Sequence, residues 1–171
     1  KLVFGSSGRF SMDLDFTHYD GERDDVLEKV VDVFNGDHHG ISFKFEEYYI
    51  TDDDTSFGGD VLYKHAWNNG GQFKLQISLR EKPTLVVRPK PMLPQEYFPV
   101  LEFPVFEVNS LEPLEMVAEK IRAAYQRSKV RDLYDLYRFA KTVFDEKNLR
   151  RLVILKLWQS KDPFDPEALF K

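Results

Sequence analysis

Apolar and polar residues alternate through Phe10-Ser11-Met12-Asp13-Leu14-Asp15-Phe16, a period of two that predicts a strand over 10–17. Period two sends Asp13 and Asp15 to one face and Met12, Leu14 and Phe16 to the other. The period then changes. Val26, Leu27, Val30, Val31 and Phe34 recur at helical spacing and predict an amphipathic helix over 24–34, with Asp24 and Asp25 near its start. Alternation returns in Ile41, Phe43 and Phe45 against Ser42, Lys44 and Glu46, predicting a strand over 41–50. The acidic stretch 51–59 reads as a loop. Val61–Trp67 and Gln72–Leu79 read as a hairpin around Asn68-Asn69-Gly70-Gly71, because Asn and Gly tolerate the positive φ of a tight turn.

Residues 82–104 carry Pro83, Pro89, Pro91, Pro94, Pro99 and Pro104 and predict a long connection, with short strands at 84–87 and 106–108. Three helices follow, over 114–127 with Pro113 at its start, over 132–144 with a stripe of Leu133, Leu136, Tyr137, Ala140 and Phe144, and over 148–158. Asp162-Pro163 ends the last of these, and 166–171 reads as the start of another helix. The fold class is α/β (α+β), a mixed sheet followed by a helical bundle. The division falls into residues 1–108, carrying the sheet, and 109–171, carrying the helices.

Composition narrows this picture. The 171 residues, 42% hydrophobic and 15% aromatic, supply enough apolar material for a packed core. The chain has no cysteine, which excludes disulfides, thiolate catalysis and Cys-ligated zinc and fits a reducing, cytoplasmic setting. No apolar run approaches the ~18 residues that span a membrane, and the first residues lack the layout of a signal peptide. The net charge of −5 argues against a generally basic nucleic-acid binder. The charge is uneven, however: acids crowd 13–60 and bases crowd 120–151. On charge counts alone these are two ordinary solvated surfaces.

Asp13 and Asp15 are the candidate chemistry. Two carboxylates on one strand face repel each other unless a cation sits between them, and Mg²⁺ accepts one or two carboxylates together with substrate phosphates. By itself an Asp-x-Asp strand is more often solvated edge than metal site.

Two further blocks change that weighting. Together with Arg9-Phe10-Ser11-Met12-Asp13-Leu14-Asp15-Phe16, the blocks Ala118-Glu119-Lys120-Ile121-Arg122-Ala123 and Arg127-Ser128-Lys129-Val130-Arg131-Asp132-Leu133-Tyr134-Asp135-Leu136 resemble the AbiEii/AbiGii nucleotidyltransferase toxins of abortive-infection and type IV toxin–antitoxin systems. In order and spacing the blocks span most of the chain. The resemblance implies a nucleotidyltransferase-like fold in which the helical portion closes the active-site cleft. It implies transfer of NMP from an NTP to an acceptor, with tRNA ahead of other RNA ends or a protein hydroxyl, and a cognate antitoxin. Asp13 and Asp15 would hold Mg²⁺, Lys120 would neutralise the triphosphate, and Asp132 would serve as base or as orienting partner of Lys120, with Asp135 as the other candidate. Arg9, Ser11, Arg127, Lys129 and Arg131 would contact the nucleotide or an RNA acceptor. The phosphate-cradling glycine loop of the family is expected upstream of residue 1.

One position departs from that pattern. A polymerase-like site adds a third carboxylate from a neighbouring strand, and the resemblance places it near Gln76. A neutral amide is a poorer ligand for Mg²⁺, so Asp60 or Glu81 would have to contribute, or two carboxylates suffice. The same departure supports the alternative of a non-catalytic relative that binds nucleotide or a partner protein. A phosphohydrolase using the same carboxylates is a third option.

The bland readings are as follows. Lys120 has no acid at three or four residues on its own helix and is, on that ground alone, a solvated lysine with its stem along the apolar stripe. Asp132 complements a helix N-terminus. His18, His38 and His39 lack zinc-ligand spacing. The Gly58-Gly59 and Gly70-Gly71 pairs read as turns.

Overall fold

The structure, a computed structural model, describes residues 13–20, 22–51, 55–67, 69–79, 82–94, 96, 98–100, 104–127 and 129–160. It divides into two compact units, one ending at Lys82 and the next beginning at Pro83.

The first unit is a five-stranded sheet backed by one helix. Its strands are β1 (Asp13–Thr17), β2 (Gly36–His38), β3 (Ile41–Ile50), β4 (Ser56–His65) and β5 (Gly70–Ser78), and its helix is α1 (Arg23–Val33). The sheet order is β1-β5-β4-β3-β2, with β1 parallel to β5 and every other pair antiparallel. Register sorts the side chains into two faces. Phe45, Phe57, Val61, Leu75 and Ile77 form the buried core with Leu14 and with Val26, Leu27, Val30, Val31 and Phe34 of α1. Full burial of such side chains is worth about 1.5–3 kcal/mol each, which fixes the register because a one-residue slip would turn the whole apolar set outward. The opposite face carries Asp13, Asp15, Lys74, Gln76, Asp60 and Glu46. Phe16 remains half exposed on the edge strand β1.

Several elements differ from the pattern-based expectation. The strand β4 begins at Ser56, so Gly58 and Gly59 lie inside a strand and not in a turn. Both are tightly enclosed: a Cβ on Gly59 would lie 2.7 Å from Phe45, and one on Gly58 would lie 2.5 Å from the Leu75 carbonyl oxygen and 3.1 Å from the Tyr49 hydroxyl. Likewise Gly70 and Gly71 open β5. A short strand, β2, appears ahead of β3 and joins it through His39 and Gly40, at φ 51° and 78°. Its His38 Nε2 lies 2.7 Å from the Val33 carbonyl oxygen, which ties the strand to the end of α1.

Alternation in β3 is also interrupted. Glu46 pairs with Asp60, but Tyr49 pairs with Gly58, so Glu47 and Tyr48 together oppose Gly59. Glu47 takes φ 49°, a left-handed conformation that marks the bulge.

The second unit contains the antiparallel pair β6 (Arg88–Pro91) and β7 (Glu107–Ser110), then α2 (Pro113–Gln126), α3 (Val130–Phe139) and α4 (Glu146–Gln159). No strand forms over 84–87. The backbone N–H groups of Thr84 and Leu85 instead donate to the two carboxylate oxygens of Glu115, at 2.9 and 2.7 Å, and so have no ladder to join. These two bonds tie Thr84 and Leu85 to α2.

Ala118, Leu149 and Leu152 form the core between α2 and α4, with Val117, Ile121 and Phe139 around them. The expected helix 132–144 stops at Phe139. Thr142 Oγ1 donates to the Phe139 carbonyl at 2.7 Å, and Phe144 packs on Phe139 from beyond the helix, with ring centroids 4.7 Å apart. Its stripe is less buried than expected: Leu133 and Tyr137 are exposed, and Asp132 is the buried residue of α3. Asp145 caps α4, accepting from the Asn148 N–H at 3.0 Å.

Candidate active site

In the sheet unit, the polar face is organised in two adjacent rows. Asp13 of β1, Lys74 of β5, Asp60 of β4 and Glu46 of β3 are successive register partners. One step along, Asp15, Gln76, Gly58 and Tyr49 form the next row. Lys74 Nζ lies 3.3 Å from Asp60 Oδ1 and partly offsets the acids beside it. The sequence-predicted pair Asp13 and Asp15 therefore shares one face, with Asp15 more exposed than Asp13. Gln76 stands beside Asp15, in the place where the resemblance puts a third carboxylate.

The donor set can be tested against Mg²⁺. Two hard oxygen ligands on one face suit an ion that completes its shell with water and phosphate oxygens. Among the described residues no group of three or more His, Cys, Asp or Glu side chains is arranged to hold a metal ion. Asp60 is drawn to Lys74 instead. Asp13 and Asp15 are the two carboxylates on this face that could hold such an ion.

In the helical unit, the predicted residues Lys120, Arg127, Asp132 and Asp135 come together. Lys120 Nζ of α2 lies 3.3 Å from Asp132 Oδ1 and 3.2 Å from Asp135 Oδ2, both on α3. Arg127, at the end of α2, donates through Nε to Asp132 Oδ2 at 3.0 Å and through Nη2 to Oδ1 at 3.5 Å. Asp132 is fully buried. Burial alone would raise its pKa; the hydrogen bonds from Arg127 and Lys120, and their charges, outweigh it and hold the carboxyl below its ordinary 3.8. Lys120 is thus no isolated surface lysine. Its partners lie on the next helix, which the spacing within its own helix could not reveal. Lys129 and Arg131 lie nearby in sequence with exposed side chains. Arg9, Ser11 and Glu81 lie outside the described residues.

Sequence reasoning missed Lys74 and Tyr49. Strand alternation places Lys74 on the acidic face once β5 is known to pair with β1. Tyr49 is concealed by the bulge.

The structural class follows from a comparison with solved structures. The fold is that of a nucleotidyltransferase toxin: the chain superposes on MenT4, a nucleotidyltransferase toxin from Mycobacterium tuberculosis H37Rv, with a TM-score of 0.77 and 24% identity. That match covers 94% of this chain and 56% of the MenT4 chain. No curated protein matches the chain. The sequence profile described as nucleotidyl transferase AbiEii toxin, type IV TA system, matches residues 1–170, and the chain belongs to that family.

Proposed function

We propose that the protein is a Mg²⁺-dependent nucleotidyltransferase toxin that moves NMP from an NTP onto an acceptor hydroxyl, with tRNA as the acceptor. The observation that carries this reading is the pair Asp13 and Asp15 on the polar face of a sheet whose other face packs against α1. The oxygen of the acceptor hydroxyl bonds to the α-phosphorus and gives up its proton to solvent, the α–β anhydride bond breaks, and pyrophosphate leaves. Bound with the nucleotide, Mg²⁺ would offset the charge that develops on the phosphate oxygens. Asp13 and Asp15 would hold that ion.

In the helical unit, Lys120 supplies a cation for phosphate oxygens, held in one orientation by Asp132 and Asp135. A buried carboxylate already bonded to an arginine and a lysine is a poor proton acceptor, so orientation of Lys120 is the part that suits Asp132. Arg127 shares this work. Lys129 and Arg131 offer exposed charge to a nucleotide or RNA backbone, and Arg9 and Ser11, which precede the aspartates in sequence, would add contacts to the nucleotide. A type IV toxin of this kind acts in the bacterial cytoplasm beside a cognate antitoxin. Among the described residues no helix is long and apolar enough to cross a membrane.

One observation favours a second reading. Gln76 beside Asp15 leaves the row one carboxylate short, which would suit a relative that binds nucleotide without turning it over. The deciding experiment incubates the protein with each α-³²P-labelled NTP, Mg²⁺ and total bacterial tRNA, beside an Asp15→Ala control. Label on RNA that requires Asp15 supports transfer. NTP binding without label on RNA or protein supports the second reading.

A further inference from the structure

The bulge in β3 has a chemical consequence. Strict alternation from Glu46 would turn Tyr49 toward the apolar core. The extra residue at Glu47 reverses this: Tyr48 stacks on the core residue Phe45, with centroids 6.4 Å apart, and Tyr49 joins the polar face opposite Gly58. Gly58 has no side chain there, so the phenol lies across it. The point where a Gly58 Cβ would sit is 3.1 Å from the Tyr49 hydroxyl and 3.3 Å from the Gln76 Cα. The hydroxyl therefore lies over Gly58 of β4, in the row of Gln76 and Asp15. A bulge that re-aims one side chain beside a functional row is a recurrent device of active sites.

The chemistry of that position is distinctive. The adjacent row carries Asp13, Asp60 and Glu46, with Lys74 paired to Asp60 and Lys44 to Glu46. At Gln76 and Tyr49 the face turns neutral, and both groups can donate hydrogen bonds. Neither the Gln76 amide nor the Tyr49 hydroxyl has a hydrogen-bond partner among the described residues, and Tyr49 is 47% exposed. A carboxylate at this place would repel a phosphate; a phenol and an amide can donate to one.

We infer that Tyr49, together with Gln76, is a substrate-binding residue that donates to a phosphate oxygen of the nucleoside triphosphate. This rests on the nucleotidyltransferase reading above. It also gives Gln76 a role as a donor where a metal-binding acid would otherwise stand.

The test is calorimetric titration of the wild-type protein, Tyr49→Phe and Gln76→Glu with the four α,β-methylene nucleoside triphosphates and Mg²⁺, paired with steady-state transfer assays. Tyr49→Phe keeps the ring over Gly58, so circular dichroism and Tm should match the wild type. Its affinity for the preferred analogue should fall about tenfold, the effect of one hydrogen bond to a charged group, and KM should rise with kcat little changed. Gln76→Glu should weaken binding by a similar factor, because a carboxylate replaces a donor. Wild-type binding that Tyr49→Phe leaves unchanged overturns this inference alone. A Gln76→Glu variant with tighter binding and higher kcat also overturns it, since the position then behaves as a metal ligand. Absence of any nucleotide binding by the wild type overturns both this inference and the reading beneath it.

Discussion

Asp15 and Gln76 are direct partners across the parallel β1–β5 ladder, so the second aspartate of the pair meets an amide where a further acid would complete a three-carboxylate set. On the proposed reading, Asp13 and Asp15 are the residues that would hold the metal on this face. Asp15→Asn should lower nucleotide transfer by roughly a thousandfold or more, since a bound metal supplies several kcal/mol of transition-state stabilisation. A readout independent of turnover is available. Mg²⁺ with nucleotide should raise the Tm of the wild type by linkage and leave that of Asp15→Asn unmoved. Equal Tm shifts in the two proteins would place the metal elsewhere.

Lys120 faces two aspartates from a different helix, at 3.3 and 3.2 Å. Lys120→Met removes a charge-assisted bond from buried Asp132, and stability should fall by about 1–3 kcal/mol, measured by urea unfolding. Lys120→Arg keeps the positive charge and should recover most of that stability. It should not recover transfer to the same extent, because a planar guanidinium cannot place its charge where a compact ammonium does. If stability and transfer return together in Lys120→Arg, the lysine is only a structural strut.

The parts of this fold legible in the sequence are those where period and packing agree. The apolar stripe of α1 reappears against Phe45, Phe57 and Leu75, and α2 starts at Pro113 as its sequence indicates. Asp132 and Asp135, one helical turn apart, do reach a common partner. What the pattern concealed depends on tertiary contact. Gly58 and Gly59 look like a turn until the Leu75 carbonyl and the Phe45 ring are seen occupying the space a Cβ would need. Thr84 and Leu85 look like a strand until Glu115, thirty residues away, takes their N–H groups. The bulge at Glu47 has no glycine to announce it, so the alternation of β3 misassigns every residue after it.

Acid titration should report on Asp132. Its pKa is lowered in the folded protein, below the ordinary 3.8. The sign follows directly: a depressed carboxyl adds stability that is complete above its unfolded value and is lost as pH falls through the folded one. The stability gap between wild type and Asp132→Asn should therefore be constant across neutral pH and close below about pH 4. Denaturant midpoints measured from pH 7 down to 3 check this. A gap that instead closes between pH 6 and 8 would mean that a different group governs the cluster.

Among the described residues the most heavily buried ion pair lies in the helical unit, where Lys156 Nζ is 2.5 Å from Glu115 Oε1 and 2.9 Å from Glu119 Oε1. Glu115 is fully buried and Lys156 is 2% exposed. Burial works against both charges. It is outweighed in Glu115 by the bonds from Lys156 and the Thr84 and Leu85 N–H groups, which lower its pKa, and in Lys156 by Glu115 and Glu119, which raise its own. The two residues are not equivalent. Glu115→Ala strips Lys156 of one of two acids and also strands two backbone donors, so it should cost about 3–5 kcal/mol. Lys156→Met fills a similar volume and leaves Glu115 bonded to both N–H groups, so it should cost less. Urea unfolding of the two single variants and the double variant measures this order. A Lys156→Met variant that proves the more damaging would assign the stability to the charge pair itself, and not to the anchoring of residues 84–85 on α2.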